Sequence, residues 1–138
     1  MHDLCRFGVS LEKNLLDKFD SLINNRSYTN RSEAIRDLIR KELIGEEWHS
    51  GKEIAGAVTL IYDHHKRELM NKIVDIQHDH GDIIISTQHV HLDHDNCLEI
   101  IAVKGNPKKA QELTDKLGAV NGVKHATLGM SSTGKSIV

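Results

Sequence analysis

The pattern of apolar residues predicts an α+β protein made of two units, a β-α-α segment followed by a β-α-β-β-α-β segment. Three observations carry this. Residues 6–11 alternate in polarity and precede two stretches whose apolar residues recur every three or four positions. From residue 54 onward, strand-like and helix-like stretches follow one another in the order of the second segment. Between them, Gly45–Glu53 is charged and punctuated by glycine, which reads as a flexible linker. A chain of 138 residues fits one medium domain or two small ones. The linker sets the domain boundaries at 1–47 and 53–132.

In the first segment, Phe7, Val9 and Leu11 alternate with Arg6, Gly8 and Ser10, giving a short strand with one apolar and one polar face. Residues 12–25 carry Leu15, Leu16, Phe19, Leu22 and Ile23 on one helical stripe. Asn24–Thr29 is polar and turn-like. Asn30, with Glu33 three residues on, resembles a capping box and opens a second helix. The apolar face of that helix is Ile35, Leu38, Ile39 and Leu43, and Gly45 sits where a helix-ending glycine is expected.

In the second segment, Ile54–Tyr62 is apolar and β-like. His65–Gln77 places Leu69, Met70, Ile73, Val74 and Ile76 at helical spacing. Asp82–Leu92 reads as a strand, Asp93–Asn96 as a turn and Cys97–Lys104 as another strand. Pro107, tolerated in a first helical turn, opens a helix to about Leu117, and Gly122–Met130 is a last strand. The order matches a ferredoxin-like sandwich, shared by small ligand-sensing domains of the ACT type. Such a fold does not by itself fix a function.

Composition narrows the classes. No run of about 18 apolar residues exists, which argues against a membrane span. Residues 1–5 lack a basic start and a long apolar stretch, so a cytoplasmic location is expected. Two cysteines, Cys5 and Cys97, give no disulfide framework, and Cys5 reads as a small residue near the first strand. With five aromatic residues, the core must come from Ile, Leu, Val and Ala, and contacts between copies are expected to add to it. The net charge of −2 lacks the basic excess usual in nucleic-acid binders. The outlier is histidine, with ten residues, five of them between His78 and His94.

A lone strand and two helices cannot bury their own apolar faces. Two copies can, by pairing strands antiparallel into a ribbon of a size that enters the major groove. Arg6, Gly8 and Ser10 would point outward from it. Arginine can fork onto guanine and serine can contact several base edges, whereas Gly8 can only permit close approach. Asn30, Arg31 and Ser32, at the start of the second helix, offer free amides to a DNA phosphate. The pattern R-x-x-V-S-L, a helix, then Y-T-N-R-S-E-A-I-R-D resembles the ribbon-helix-helix repressors, which implies double-stranded DNA as partner.

The string His89-Val90-His91 … Cys97 carries the second chemistry. His89 and His91 share one face of a strand. With a turn at Asp93–Asp95, His91 faces Cys97 across the hairpin and His89 faces Glu99. Two imidazoles and a thiolate suit nickel(II) or copper(II) in a planar site and zinc(II) in a tetrahedral one. His64-His65 reads as a solvated helix start, and His2, His49, His94 and His125 receive no role.

Together the two halves resemble the nickel-responsive repressor family, NikR, over nearly the whole chain. The resemblance implies a homotetramer built as a dimer of dimers, bound to a palindromic operator, with one nickel ion per subunit. It implies His89, His91 and Cys97 as ligands, with His78 of another protomer as the fourth. It also implies a second, hard cation, potassium or magnesium, between the domains at Glu33 and Asp37, which lie one helical turn apart. Gly8 departs from the polar reader expected in the family. The implied function is a nickel-responsive transcriptional repressor controlling metal uptake or related genes. The alternative is a repressor of the same type sensing another metal or a small molecule. No enzymatic activity is expected, because four protein ligands would close the metal site. Gly129–Ser136 fits a phosphate-binding loop in spelling, but the chain ends two residues later, where the required helix should begin.

Overall fold

The computed structural model describes residues 3–138; His2 lies outside them. The chain divides into two units, one through Ile39 and one from Arg40 to Val138. In the first, helix α1 spans Lys13–Asn25 and helix α2 begins at Arg31. The Asn30 side chain accepts from the Glu33 amide at 2.9 Å, the cap that the sequence suggests. Glu33 does not complete the box; its carboxylate accepts from the Thr29 hydroxyl at 2.8 Å. Helix α1 ends in a Schellman turn: Tyr28 donates its amide to Ile23 at 3.0 Å and Ser27 to Asn24 at 3.2 Å. Ser27 sits there at φ 63°, a left-handed position that favours glycine.

This unit has almost no interior of its own. Ile23 and Ala34 are buried, while Phe7, Val9, Leu11, Leu15, Leu22, Leu38 and Ile39 are exposed. Arg6–Leu11 forms no strand within the chain, so the expected strand has no ladder. A two-stranded ribbon made from one strand per chain has that property by construction.

The expected linker is largely helical. Helix α2 runs through Gly45 to Ser50 and stops at Gly51, φ 79°. A mid-helix glycine costs about 1 kcal/mol relative to alanine. Tertiary anchoring beyond Gly45 offsets that cost: the Trp48 indole donates to the Ser131 carbonyl at 2.7 Å, and Trp48 packs against the core of the second unit.

That unit holds strands β1 (Ile54–Tyr62), β2 (Ile84–His91), β3 (Cys97–Gly105) and β4 (Val123–Met130), with α3 (Arg67–Asp79) after β1 and α4 (Pro107–Gly118) after β3. The sheet order is β2-β3-β1-β4, antiparallel throughout. This is the expected β-α-β-β-α-β order. Strand β3 alternates buried and half-buried residues without a break from Cys97 to Val103. Its inward residues join Val58, Leu60, Tyr62, Leu69, Ile73, Leu113 and Leu117 in one core. The Asn106 side chain caps α4 by accepting from Lys108 at 2.8 Å, and Pro107 fills the first helical position. A Cβ at Gly56 would lie 2.6 Å from the Gly129 carbonyl oxygen, so close contact between β1 and β4 requires glycine there. No helix among the described residues is long and apolar enough to cross a membrane.

Candidate metal centre

The β2–β3 hairpin sets the register of the centre. Asp93 shapes its turn: the carboxylate accepts from the amides of Asp95 at 2.9 Å and Asn96 at 2.8 Å, and from the Asn96 side chain at 3.0 Å. With the turn fixed there, His91 pairs with Cys97 and His89 with Glu99. On the far side of β3, Cys97 pairs with Tyr62 of β1. Paired residues across an antiparallel ladder share a face. Imidazole, thiol and phenol therefore lie side by side at one end of the sheet. Cys97 is 1% exposed, while His89 and His91 are exposed on the edge strand.

Beneath the two histidines is a buried carboxylate. Glu99 is 1% exposed and accepts from the Tyr62 hydroxyl at 2.6 Å and from the Gln77 amide. The His89 Nε2 lies 2.8 Å from the same Glu99 oxygen that Tyr62 reaches. Burial, and then the Glu99 carboxylate, push the Tyr62 hydroxyl far above its ordinary value, so it stays protonated and donates. A carboxylate on one ring nitrogen fixes the imidazole's tautomer and orientation and leaves the other nitrogen for a metal. Gln77 connects this network to α3, where His78 follows it on the last turn, exposed.

The neighbouring histidines separate cleanly. His80 is buried with Nδ1 2.8 Å from the Ile76 carbonyl, a structural role. Among the described residues, the trios whose donor atoms all lie within 4.8 Å are Asp63, His64, His65 and His65, His94, Asp95. The sequence places Glu99 opposite His89 without giving it a role, and gives none to Tyr62 or Gln77. The signal was present: in Cys97, Glu99, Ile101, Val103, one acid occupies an inward position of a buried strand.

The residues expected to read DNA lie in the first unit. Arg6, Gly8 and Ser10 are exposed in the segment before α1, and Ser32 is exposed in the first turn of α2. Asn30 uses its side-chain oxygen as the helix cap. The Arg31 guanidinium forks onto Asp20 at 2.9 and 2.8 Å and holds that carboxyl below its ordinary range. Of the two acids expected at a second cation, Glu33 accepts from Thr29 and Asp37 from the Tyr28 hydroxyl.

Comparison with known families matches both units of the chain. Residues 55–131 match the NikR C-terminal nickel-binding domain. Residues 6–45 match the ribbon-helix-helix protein family of the copG type. The chain belongs to the NikR family. It is a nickel-responsive transcriptional regulator with a ribbon-helix-helix DNA-binding domain, and not an enzyme. Relatives align over nearly full length. A protein of Syntrophus aciditrophicus named "Putative nickel-responsive regulator" is 61% identical, with 98% of each chain covered. One of Desulfovibrio desulfuricans with the same name is 55% identical over 99% of each. Among solved structures, an uncharacterized protein of Thermotoga maritima shares the fold at TM-score 0.52 and 12% identity, over 57% of this chain and 98% of its own.

Proposed function

We propose that this NikR-family chain represses metal-uptake or related genes in the cytoplasm. Residues 1–47 read DNA, and residues 53–132 bind nickel and join two dimers into a tetramer. The carrying observation is the hairpin register, in which His91 pairs with Cys97 and His89 with Glu99. Three facts support His89, His91 and Cys97 as ligands with His78 from another protomer. The N,S donor set suits nickel(II). Glu99 orients His89. His78 is exposed on α3 rather than folded into its own sheet. One ion per subunit follows from one such hairpin per chain. Bound nickel would tie together the protomers that contribute its ligands.

The exposed apolar residues Phe7, Val9 and Leu11 support pairing of two chains through their first strands. Arg6, Gly8 and Ser10 then project from the ribbon toward base edges, with Asn30, Arg31 and Ser32 near phosphate. A tetramer presents two ribbons, which suits a palindromic operator with half-sites a whole number of helical turns apart. An ion shifts this equilibrium only as far as its affinities for the competing arrangements differ. Operator DNA must then tighten nickel binding by the same factor. Glu33 and Asp37 are proposed to hold a potassium or magnesium ion through their carboxylates.

The deciding experiment is selection from random double-stranded DNA with and without nickel, using wild type and Cys97→Ala. The expected result is a palindromic consensus recovered with nickel alone, and loss in Cys97→Ala of both that recovery and the thiolate-to-nickel absorption band. Recovery that ignores nickel, or a band that survives the substitution, overturns the assignment.

A further inference from the structure

Residues 131–138 follow β4 and run back along α2. The Ser131 amide donates to the Ala55 carbonyl at 3.0 Å, one step beyond the β1–β4 ladder. The Ser131 carbonyl accepts from the Trp48 indole at 2.7 Å. Lys135 then reaches Glu53 at 3.8 Å, and the Arg40 Nε donates to the Val138 main-chain oxygen at 2.6 Å. Arg40 and Trp48 are eight residues apart, about 12 Å along a helix. The segment therefore crosses two turns of α2 in the opposite direction, tied at each end. All of these residues belong to the second unit.

The covered face of α2 is specific. Arg40, Ile44, Glu47 and Trp48 are buried or half-buried and fall on one helical stripe, while every other residue from Lys41 to Ser50 is exposed. Trp48 lies over Gly56, where a Cβ would meet the indole at 3.2 Å. Two features oppose the order of this helix. Gly45 is unfavourable inside a helix. Glu47 is 7% exposed, and its Oε2 is buried without a hydrogen-bond partner, which costs free energy that solvation would return. The bonds to Ser131 and Val138 and the packing of Trp48 offset both. A helix balanced in this way has a second state within reach, the unwound linker that the composition of Gly45–Glu53 suggests.

We propose that residues 131–138 are a strap that holds the second half of α2 in its helical, docked state, and that this hold carries the nickel signal to the DNA-reading unit. The second clause rests on the proposed function; the strap itself does not. Helix α2 is continuous from Arg31, in the first unit, to Ser50. With the strap closed, a shift in the nickel-binding unit moves a rigid rod. With the strap open, α2 unwinds at Gly45 and the shift is lost in the linker. The strap also gives a role to Gly129–Ser136, whose spelling fits a phosphate-binding loop. Its amides turn onto neighbouring hydroxyls: Gly134 donates to the Ser132 Oγ at 3.0 Å and Lys135 to the Thr133 Oγ1 at 3.5 Å.

The test is hydrogen exchange of the full-length protein, read by mass spectrometry across residues 40–52, together with binding to DNA selected by the nickel-loaded wild type. Arg40→Ala removes the far tie, and Trp48→Phe removes the indole donor while keeping a ring in the core. Exchange is expected to quicken roughly five-fold in each. Glu47→Gln removes the charge whose burial opposes docking, and exchange is expected to slow roughly two-fold. In Arg40→Ala and Trp48→Phe, nickel uptake and the thiolate band stay unchanged, while nickel raises DNA affinity roughly five-fold less than in wild type. Unchanged exchange in both variants, or faster exchange with the full nickel effect on DNA retained, overturns the proposal. A wild type whose DNA binding ignores nickel overturns the proposed function instead, and the exchange of the three variants still decides the strap.

Discussion

The Glu99 carboxylate, buried in the sheet, lies 2.8 Å from the exposed imidazole of His89 and binds the Tyr62 hydroxyl through the same oxygen. An acid in the core thus reaches outward to His89, a proposed metal ligand. Partners that orient a metal ligand matter nearly as much as the ligand, and losing one typically costs 10–100-fold in metal affinity. Glu99→Gln keeps the volume and removes the charge. Nickel affinity is expected to fall by about 10–100-fold, with the thiolate band retained at saturation. Competition against a chelator measures it; unchanged affinity would show that Glu99 serves packing alone.

His78 sits on the exposed last turn of α3, away from the core contacts of Leu69 and Ile73. His78→Ala is therefore expected to leave the thermal midpoint and the oligomeric state unchanged while abolishing the nickel dependence of operator affinity. Gel-shift titrations with and without nickel, together with light scattering, check both halves.

Arg6 and Arg31 should behave differently on DNA. Arg6 is exposed and has a proposed base-edge role, so Arg6→Ala should cost roughly 1–3 kcal/mol and relax base preference at one position of each half-site. Arg31 is braced by Asp20, and a phosphate role predicts uniform weakening by Arg31→Ala with a salt slope shallower by about one. Binding to an operator and to scrambled DNA across a salt series separates the two.

Ser27 occupies a left-handed conformation at the end of α1. A side chain there costs roughly 1–2 kcal/mol, and glycine relieves most of it at some cost in chain entropy. Ser27→Gly is expected to stabilise the first unit by about 0.5–1 kcal/mol in denaturant titration.

Asp93 gives the hairpin an acid limit. Hydrogen bonds from the Asn96 side chain and from the amides of Asp95 and Asn96 hold its carboxyl below the ordinary 3.8. The folded value is the lower one, so the stabilisation is complete above the unfolded value and disappears as pH falls through the folded one. Asp93→Ala should lower the thermal midpoint at neutral pH and flatten its fall as the pH drops below the ordinary 3.8. Parallel curves for both proteins would remove Asp93 from the acid response.

Much of this was legible because each half obeys a strict period. The alternation in Cys97–Val103 and the turn residues Asp93–Asn96 locate the hairpin, and one residue of slip would have moved His91 off Cys97. Helix α2 was misjudged at its end, because Gly45 and the charges after it mimic a stop. The anchor that carries the helix onward, Trp48 on Ser131, spans 83 residues of sequence. The Glu99 network and the His64–His65–His94 cluster were missed for the same reason. Their members are distant in the chain and meet only when β1, α3 and the hairpin close on one another.

With Phe7, Val9 and Leu11 bare, the proposed pairing of two chains makes the first unit subject to mass action. In the proposed dimer, a segment that buries little beyond Ile23 and Ala34 gains its interior from a second chain, so its stability rises with the amount of protein present. Dilution should melt it first, at a temperature that depends on concentration, while the four-stranded unit with its own core holds to higher temperature. A cell with few copies would then set the threshold for repression twice, once by the metal it contains and once by how many chains it makes.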